Sequence, residues 1–242
     1  MALRLNQGTS DDDRHVEWRR VVVRIHDEQV QQAWRHRMFR LVRRVFNANT
    51  RLASEGGFIF NWMAENYLDA SLMLVRRELD RQDGTENLRN LLDDIIGHPS
   101  VLVRTRYVAQ WPPAEAAWAS QVFDTFHPAS GRTRDVDFID PAQVRGDLER
   151  VDADAERLRT YAERTRAHRT PERGIDRTVT FRDLHQAIAD VRRVVGKYYA
   201  LLTLSSVAEW EPVPQYDTLS PFLQPWVVDR GAVSRDDAPE DQ

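Results

Sequence analysis

Residues 141–165 read PAQVRGDLERVDADAERLRTYAERT. Within them Val144, Leu148, Val151, Ala155, Leu158, Ala162 and Thr165 recur at alternating steps of four and three. That repeat puts apolar side chains on one face of an α-helix and charged ones on the other. Asp140 followed by Pro141 is a helix-start signal, because proline at a first-turn position gives up no hydrogen bond. Pro171 and Gly174 end the pattern. A second seam follows in Leu184, Ile188, Val191, Val195, Tyr198 and Leu202, opened by Thr180 and Asp183 at capping-box spacing. Two such helices, joined through residues 170–179, are expected to pack antiparallel.

Working outward, the same period governs the rest of the chain. Trp34, Met38, Leu41, Val45 and Leu52 form a seam on a long segment from about Asp11 to Ala53, which Gly56-Gly57 breaks. Phe58 to Leu79 is apolar on nearly every side, the pattern of a helix at the centre of its bundle. Thr85 precedes a short helix carrying Leu88, Leu91, Leu92, Ile95 and Ile96. Pro112-Pro113 opens another with Trp118, Val122, Phe123 and Phe126. Val21-Val22-Val23 and Val101-Leu102-Val103 are rich in β-branched residues but sit in helical surroundings, so no strand is expected. His127–Asp140 reads as a polar loop. Pro212, Pro214, Pro221 and Pro225 preclude a long helix after Trp210, while Phe222 and Trp226 suggest a segment that packs back on the bundle.

The expectation is therefore an all-α bundle of about five to seven helices. Residues 1–13 form an N-terminal arm, 14–210 the bundle, 211–228 an extended proline and aromatic segment, and 229–242 a disordered acidic tail. The chain's 242 residues suffice for one sizeable core. No stretch reaches the roughly 18–20 apolar residues of a membrane span, and the N-terminus, with Asp11, Asp12 and Asp13, does not read as a secretory signal. A cytoplasmic protein with no membrane partner is expected. There are no cysteines, which excludes disulfides and thiolate metal sites. No metal or cofactor is expected either. The seven histidines (His15, His26, His36, His98, His127, His168 and His185) are scattered, with no His-x-x-x-His or Glu-x-x-His spacing.

Net charge is −4, but it is unevenly spread: residues 208–242 carry −6, leaving +2 on the rest. Residues 31–53 hold Arg35, Arg37, Arg40, Arg43, Arg44 and Arg51 with no acid. Arg37, Arg40 and Arg44 make a candidate polyanion-facing surface, against the plainer reading of a solvated helix face. Tyr161, Arg164 and His168 share a helix face by their spacing. A histidine beside a guanidinium suits phosphodiester chemistry: His168 would move a proton and Arg164 or Arg166 would stabilise phosphate charge. The competing reading is a helix end with a favourably placed histidine and solvated arginines.

Three segments resemble the HEPN superfamily, and within it the AbiU-type abortive-infection branch. They are Leu74-Val75-Arg76-Arg77-Glu78-Leu79-Asp80, Glu86-Asn87-Leu88-Arg89-Asn90-Leu91-Leu92, and Tyr161 through Ala167-His168-Arg169. The likeness covers most of residues 20–205 and rests on their order and spacing. The resemblance implies a helical bundle, often a homodimer, whose members include metal-independent endoribonucleases of toxin–antitoxin or phage-defence systems, with an antitoxin or defence-system protein as partner. The family signature is an arginine, four to six intervening residues and a histidine. The histidine falls on His168; Arg164 precedes it with three intervening residues, one helical turn away. On that likeness His168 and Arg164 are the catalytic pair, Tyr161 supports them, and Arg166 and Arg169 help hold RNA, with Arg37, Arg40 and Arg44 extending the contact. The alternative is a non-catalytic HEPN-like module for protein–protein interaction.

Overall fold

The computed structural model describes residues 9–126, 137–162, 179–207, 209–215, 217 and 220. They form an all-α bundle of eight α-helices: α1 Asp11–Ala48, α2 Thr50–Glu55, α3 Gly57–Glu78, α4 Leu88–Gly97, α5 Arg104–Ala109, α6 Ala116–Asp124, α7 Pro141–Tyr161 and α8 Phe181–Thr203. The two short helices α2 and α5 take the number past the expected seven. Among the described residues no strand forms; Val103 and Phe138 make an isolated antiparallel bridge, and the adjoining Ile139 is fully buried.

Helices α7 and α8 pair antiparallel, as their seams require. Val144, Leu148, Val151, Ala155, Leu158 and Ala162 are buried, as are Leu184, Ile188, Val191, Val195, Tyr198 and Leu202. Asp147, near the start of α7, meets Lys197 and Tyr198 near the end of α8. At the opposite end Arg157 lies 3.9 Å from Asp183. The capping box is present: Thr180 accepts from the Asp183 N–H, and the Asp183 carboxylate accepts from the Thr180 N–H at 3.0 Å. The last turn ends at Leu204 in the left-handed region (φ 59°), with its N–H on the Ala200 carbonyl. Its side chain packs on the core.

Helix α8 packs against α1, α3 and α7, and α3, which the sequence placed at the centre, is open on one side. α3 reads as apolar all round because it has two apolar faces. Tyr67, Leu72, Leu74 and Val75 enter the core, while Phe58, Ile59, Trp62 and Met73 are more than half exposed. The long first segment breaks at Asn49, which caps α2 by accepting from the N–H groups of Arg51 and Leu52. The buried stripe of α1 also differs from the expected one. It runs through Trp18, Val21, Val22, Ile25, Gln29, Gln32, Ala33, Phe39, Leu41 and Val42, so Leu41 of the expected seam is buried while Trp34, Met38 and Val45 are half-buried. Three of its turns carry Gln29, Gln32 and His36, so hydrophobic patterning alone passes over them.

Helices α3 and α4 are tied reciprocally. The buried Glu78 carboxylate accepts from the Leu88 N–H at 3.1 Å, and Arg89 Nε donates to the Leu79 carbonyl at 3.1 Å. Both exchanges satisfy helix-end groups that would otherwise be buried unpaired. The acid pairs Asp93-Asp94 and Asp152/Asp154 contribute members to structural contacts: Asp94 receives Arg14 at 2.6 Å and Trp18 Nε1 at 2.6 Å, and Asp152 pairs with Arg89.

Removing one partner of a buried ion pair strands the other. Asp147→Ala leaves Lys197 and the Tyr198 hydroxyl without their acceptor, and is expected to lower unfolding free energy by about 2–3 kcal/mol. Urea denaturation measures this, with a drop below about 0.5 kcal/mol contradicting it.

Candidate functional site

The basic face of α1 is the first component of the site. Arg40 pairs with Glu211, and Arg37 lies 3.5 Å from the same carboxylate. Arg35, Arg43 and Arg44 are exposed. Glu211 comes from the segment beyond α8, so the stretch after Trp210 begins by folding back across α1. Its anchor is Trp210, whose ring lies 5.2 Å from that of His26 and 6.0 Å from the Arg192 guanidinium. The ring lies against Gly196, where a Cβ would stand 3.4 Å from Trp210 Cζ2.

The second component was not legible as a unit in the sequence. His36 on α1 stacks on His185 on α8, with ring centroids 4.2 Å apart. The Tyr67 hydroxyl of α3 lies 3.0 Å from His185 Nε2. Phe39 stacks on Tyr67 at 4.5 Å and on Phe181 at 5.4 Å, which completes an aromatic row across three helices. Beneath it, buried Gln32 donates to Ser71 Oγ at 2.6 Å, and Ser71 donates to the Tyr67 carbonyl at 2.7 Å.

Charge acts strongly here because burial weakens screening. Burial lowers the His36 pKa to about 4, with His185, Arg40 and Arg192 adding to the effect and Glu211 opposing it. His185 is lowered by burial and then by Arg192 and Arg40. Both imidazoles are therefore neutral at pH 7, each offering one N–H donor and one lone pair. Burial raises the Tyr67 phenol and lowers the Arg192 guanidinium, against the pull of Tyr67 and Glu211. Among the described residues, Arg192 Nε and Gln32 Oε1 are buried without a hydrogen-bond partner, and Arg192 donates its Nη2 to the Gln29 carbonyl at 3.2 Å.

The remaining residues singled out in the sequence lie at and beyond the end of α7. Tyr161 is half-buried against the core and Ala162 is buried. Arg164, Arg166, His168 and Arg169 lie outside the described residues. The connection that carries them leaves α7 at Ala162 and joins α8 at Val179 and Thr180, one and a half turns before His185. The expected residues thus fall into two groups: Arg37 and Arg40 share a carboxylate, whereas Arg44 is solvent-facing and apart from it.

Among the described residues, no group of three or more histidine or acidic side chains is placed to hold a metal ion. No family model, curated protein or solved structure matches the chain.

The histidine stack predicts an acid-sensitive bundle. The unfolded chain takes up the His36 proton near pH 6.5 and the folded one only near pH 4. Between these values the unfolded state holds more protons, so the contribution of His36 to stability is lost as pH falls through that window. His36→Phe, which keeps a stacking ring, is expected to show a smaller drop in Tm between pH 6.5 and 4.5 than the parent. Equal slopes in the two proteins would contradict the assignment.

Proposed function

We propose that the chain is a HEPN-like protein directed at RNA, acting as a metal-independent endoribonuclease of a toxin–antitoxin or phage-defence module in the cytoplasm. The observation that supports this reading is the convergence of Arg37, Arg40, Arg192, His36 and His185 where α1 meets α8. The connection bearing Arg164 and His168 enters α8 at that end of the helix. Guanidinium groups recognise phosphate through paired N–H donors, and neutral histidines add an N–H donor and a lone pair beside them.

In this reading His168 takes the proton from a ribose 2′-hydroxyl as its oxygen attacks the adjacent phosphorus, or returns one to the departing 5′-oxygen. Arg164 stabilises the charge that builds on the phosphate oxygens. Tyr161 braces the helix end, Arg166 and Arg169 hold the neighbouring backbone, and Arg37, Arg40 and Arg44 extend the track along α1. No step requires a metal.

A second reading is favoured by a specific observation, the exposed apolar face of α3. Phe58, Ile59, Trp62 and Met73 are 83%, 54%, 60% and 57% exposed. Large apolar side chains grouped on a surface mark a contact site for another protein. The same face therefore supports a non-catalytic interaction module, and within the ribonuclease reading it would receive a second copy of the chain or an antitoxin. No helix among the described residues is long and apolar enough to cross a membrane.

Cleavage of single-stranded RNA in the presence of a chelator separates the two readings. The parent is expected to cut, and His168→Ala to cut at least about 100-fold more slowly. Cleavage by His168→Ala at the parental rate would remove the catalytic assignment. An intact substrate with the parent, together with a stable protein complex that Trp62→Glu dissolves, would establish the interaction module in its place.

A further inference from the structure

We infer that Arg37, Arg40 and Arg192, with His36 and His185 beside them, form an oxyanion site for a phosphate group, and that Glu211 of the chain itself occupies it. The proposal rests on the geometry of the described residues and needs no role for His168. Its ligand class extends the RNA-directed reading.

Three observations carry it. First, the carboxylate of Glu211 sits among cations from two helices: it pairs with Arg40, lies 3.5 Å from Arg37, and is close enough to Arg192 and His36 to oppose the effects of burial on both. A carboxylate and a phosphate offer arginine the same paired oxygen acceptors. Secondly, the site has more cationic and donor capacity than one carboxylate uses. Two guanidinium groups, Arg37 and Arg40, already share a single carboxylate, and Arg192, within the electrostatic reach of Glu211, has its Nε buried with no partner among the described residues. The neutral rings of His36 and His185 add N–H donors. A phosphate, with more oxygens and more charge, would engage groups that Glu211 leaves over. Thirdly, the occupant is on a short tether. Trp210 packs on His26, Arg192 and Gly196, so Glu211 is presented at high effective concentration without being built into a helix. Beyond it Pro212 and Pro214 keep the chain out of helical register.

A phosphate that enters must displace Glu211, and the clasp therefore sets a threshold for binding. Neutralising Glu211 removes the competitor and leaves the arginines in place. The loss of one charge-assisted pair corresponds to about tenfold in affinity.

The test is a titration of the full chain followed by NMR of the histidine Cε1–H signals, on the parent and on Glu211→Gln. One series uses inorganic phosphate and the other a short single-stranded RNA. Phosphate is expected to move the His36 and His185 signals, to leave that of His98 in place, and to bind Glu211→Gln about tenfold more tightly than the parent. Adding Arg192→Gln to Glu211→Gln is expected to reverse the gain, with an unchanged His98 signal reporting an intact fold. RNA that shifts the same two signals supports the site as one that reads RNA phosphate. Phosphate binding with no response to RNA supports the site while removing the RNA-directed function. Absence of any phosphate-dependent shift at His36 and His185 in Glu211→Gln, or equal phosphate affinity in the two proteins, overturns the proposal whatever RNA does.

Discussion

Helix α1 buries a stripe that changes character along its length. Its early turns present Trp18, Val21, Val22 and Ile25 to the core; further along, Gln29, Gln32 and His36 are interleaved with Ala33, Phe39, Leu41 and Val42. A helix cannot turn away from its neighbour halfway without a kink, so these polar groups must face α8 and α3. The structure answers with polar and aromatic partners at the same level: Ser71 and Tyr67 from α3, His185 and Arg192 from α8. A low-dielectric seam with neutral histidines and cations at its rim follows from that packing. The clasp by Trp210 and Glu211 lies at the rim of this seam: Arg192 stands over the Trp210 ring, and Glu211 pairs with Arg40 and lies beside Arg37.

The rest of the bundle holds this seam in place by conventional means. α7 supplies an apolar wall to α8, and the contacts of Asp147 with Lys197 and Tyr198 fix the register of the pair. α4 is held to α3 by the exchange between Glu78 and Leu88 on one side and Arg89 and Leu79 on the other. Burial, reinforced by Glu28, holds the Glu78 carboxyl above the ordinary carboxylate range even though Arg77 and the Leu88 N–H pull the other way. The Asp94 carboxylate anchors Arg14 and Trp18 at the opposite end of α1. Structural ion pairs thus occupy most of the buried charge. The histidine and arginine group at the junction of α1 and α8 stands out because its members are not neutralised one for one.

The parts that were legible in the sequence are those where apolar period and capping chemistry agree. The seams of α7 and α8, the Thr180 and Asp183 capping box and the proline starts at Pro141 and Pro113 all depend on neighbours within a few residues. On α1, Leu41 was read correctly but Gln29, Gln32 and His36 were passed over, because no hydrophobic count registers a glutamine that finds a serine 39 residues away. α3 misled in the opposite direction: an apolar residue facing solvent looks the same in sequence as one facing the core, so Phe58 and Trp62 read as central. The basic character of Arg37 and Arg40 was visible, but their partner Glu211 is 171 residues from Arg40. The pairing of His36 with His185 likewise spans the chain and follows no local spacing. Arg164, Arg166, His168 and Arg169 remain readings of the sequence and its likeness, outside the described residues.

We propose that the α1 and α8 face, with the connection leading into α8, is where this protein meets RNA. Photo-crosslinking of a short single-stranded RNA to the full chain, followed by peptide mapping, addresses it directly. Crosslinks concentrated in residues 31–44, 163–178 and 181–193 are the predicted result. Crosslinks confined to α4–α6, or none above the level of an unrelated acidic protein, would contradict the account.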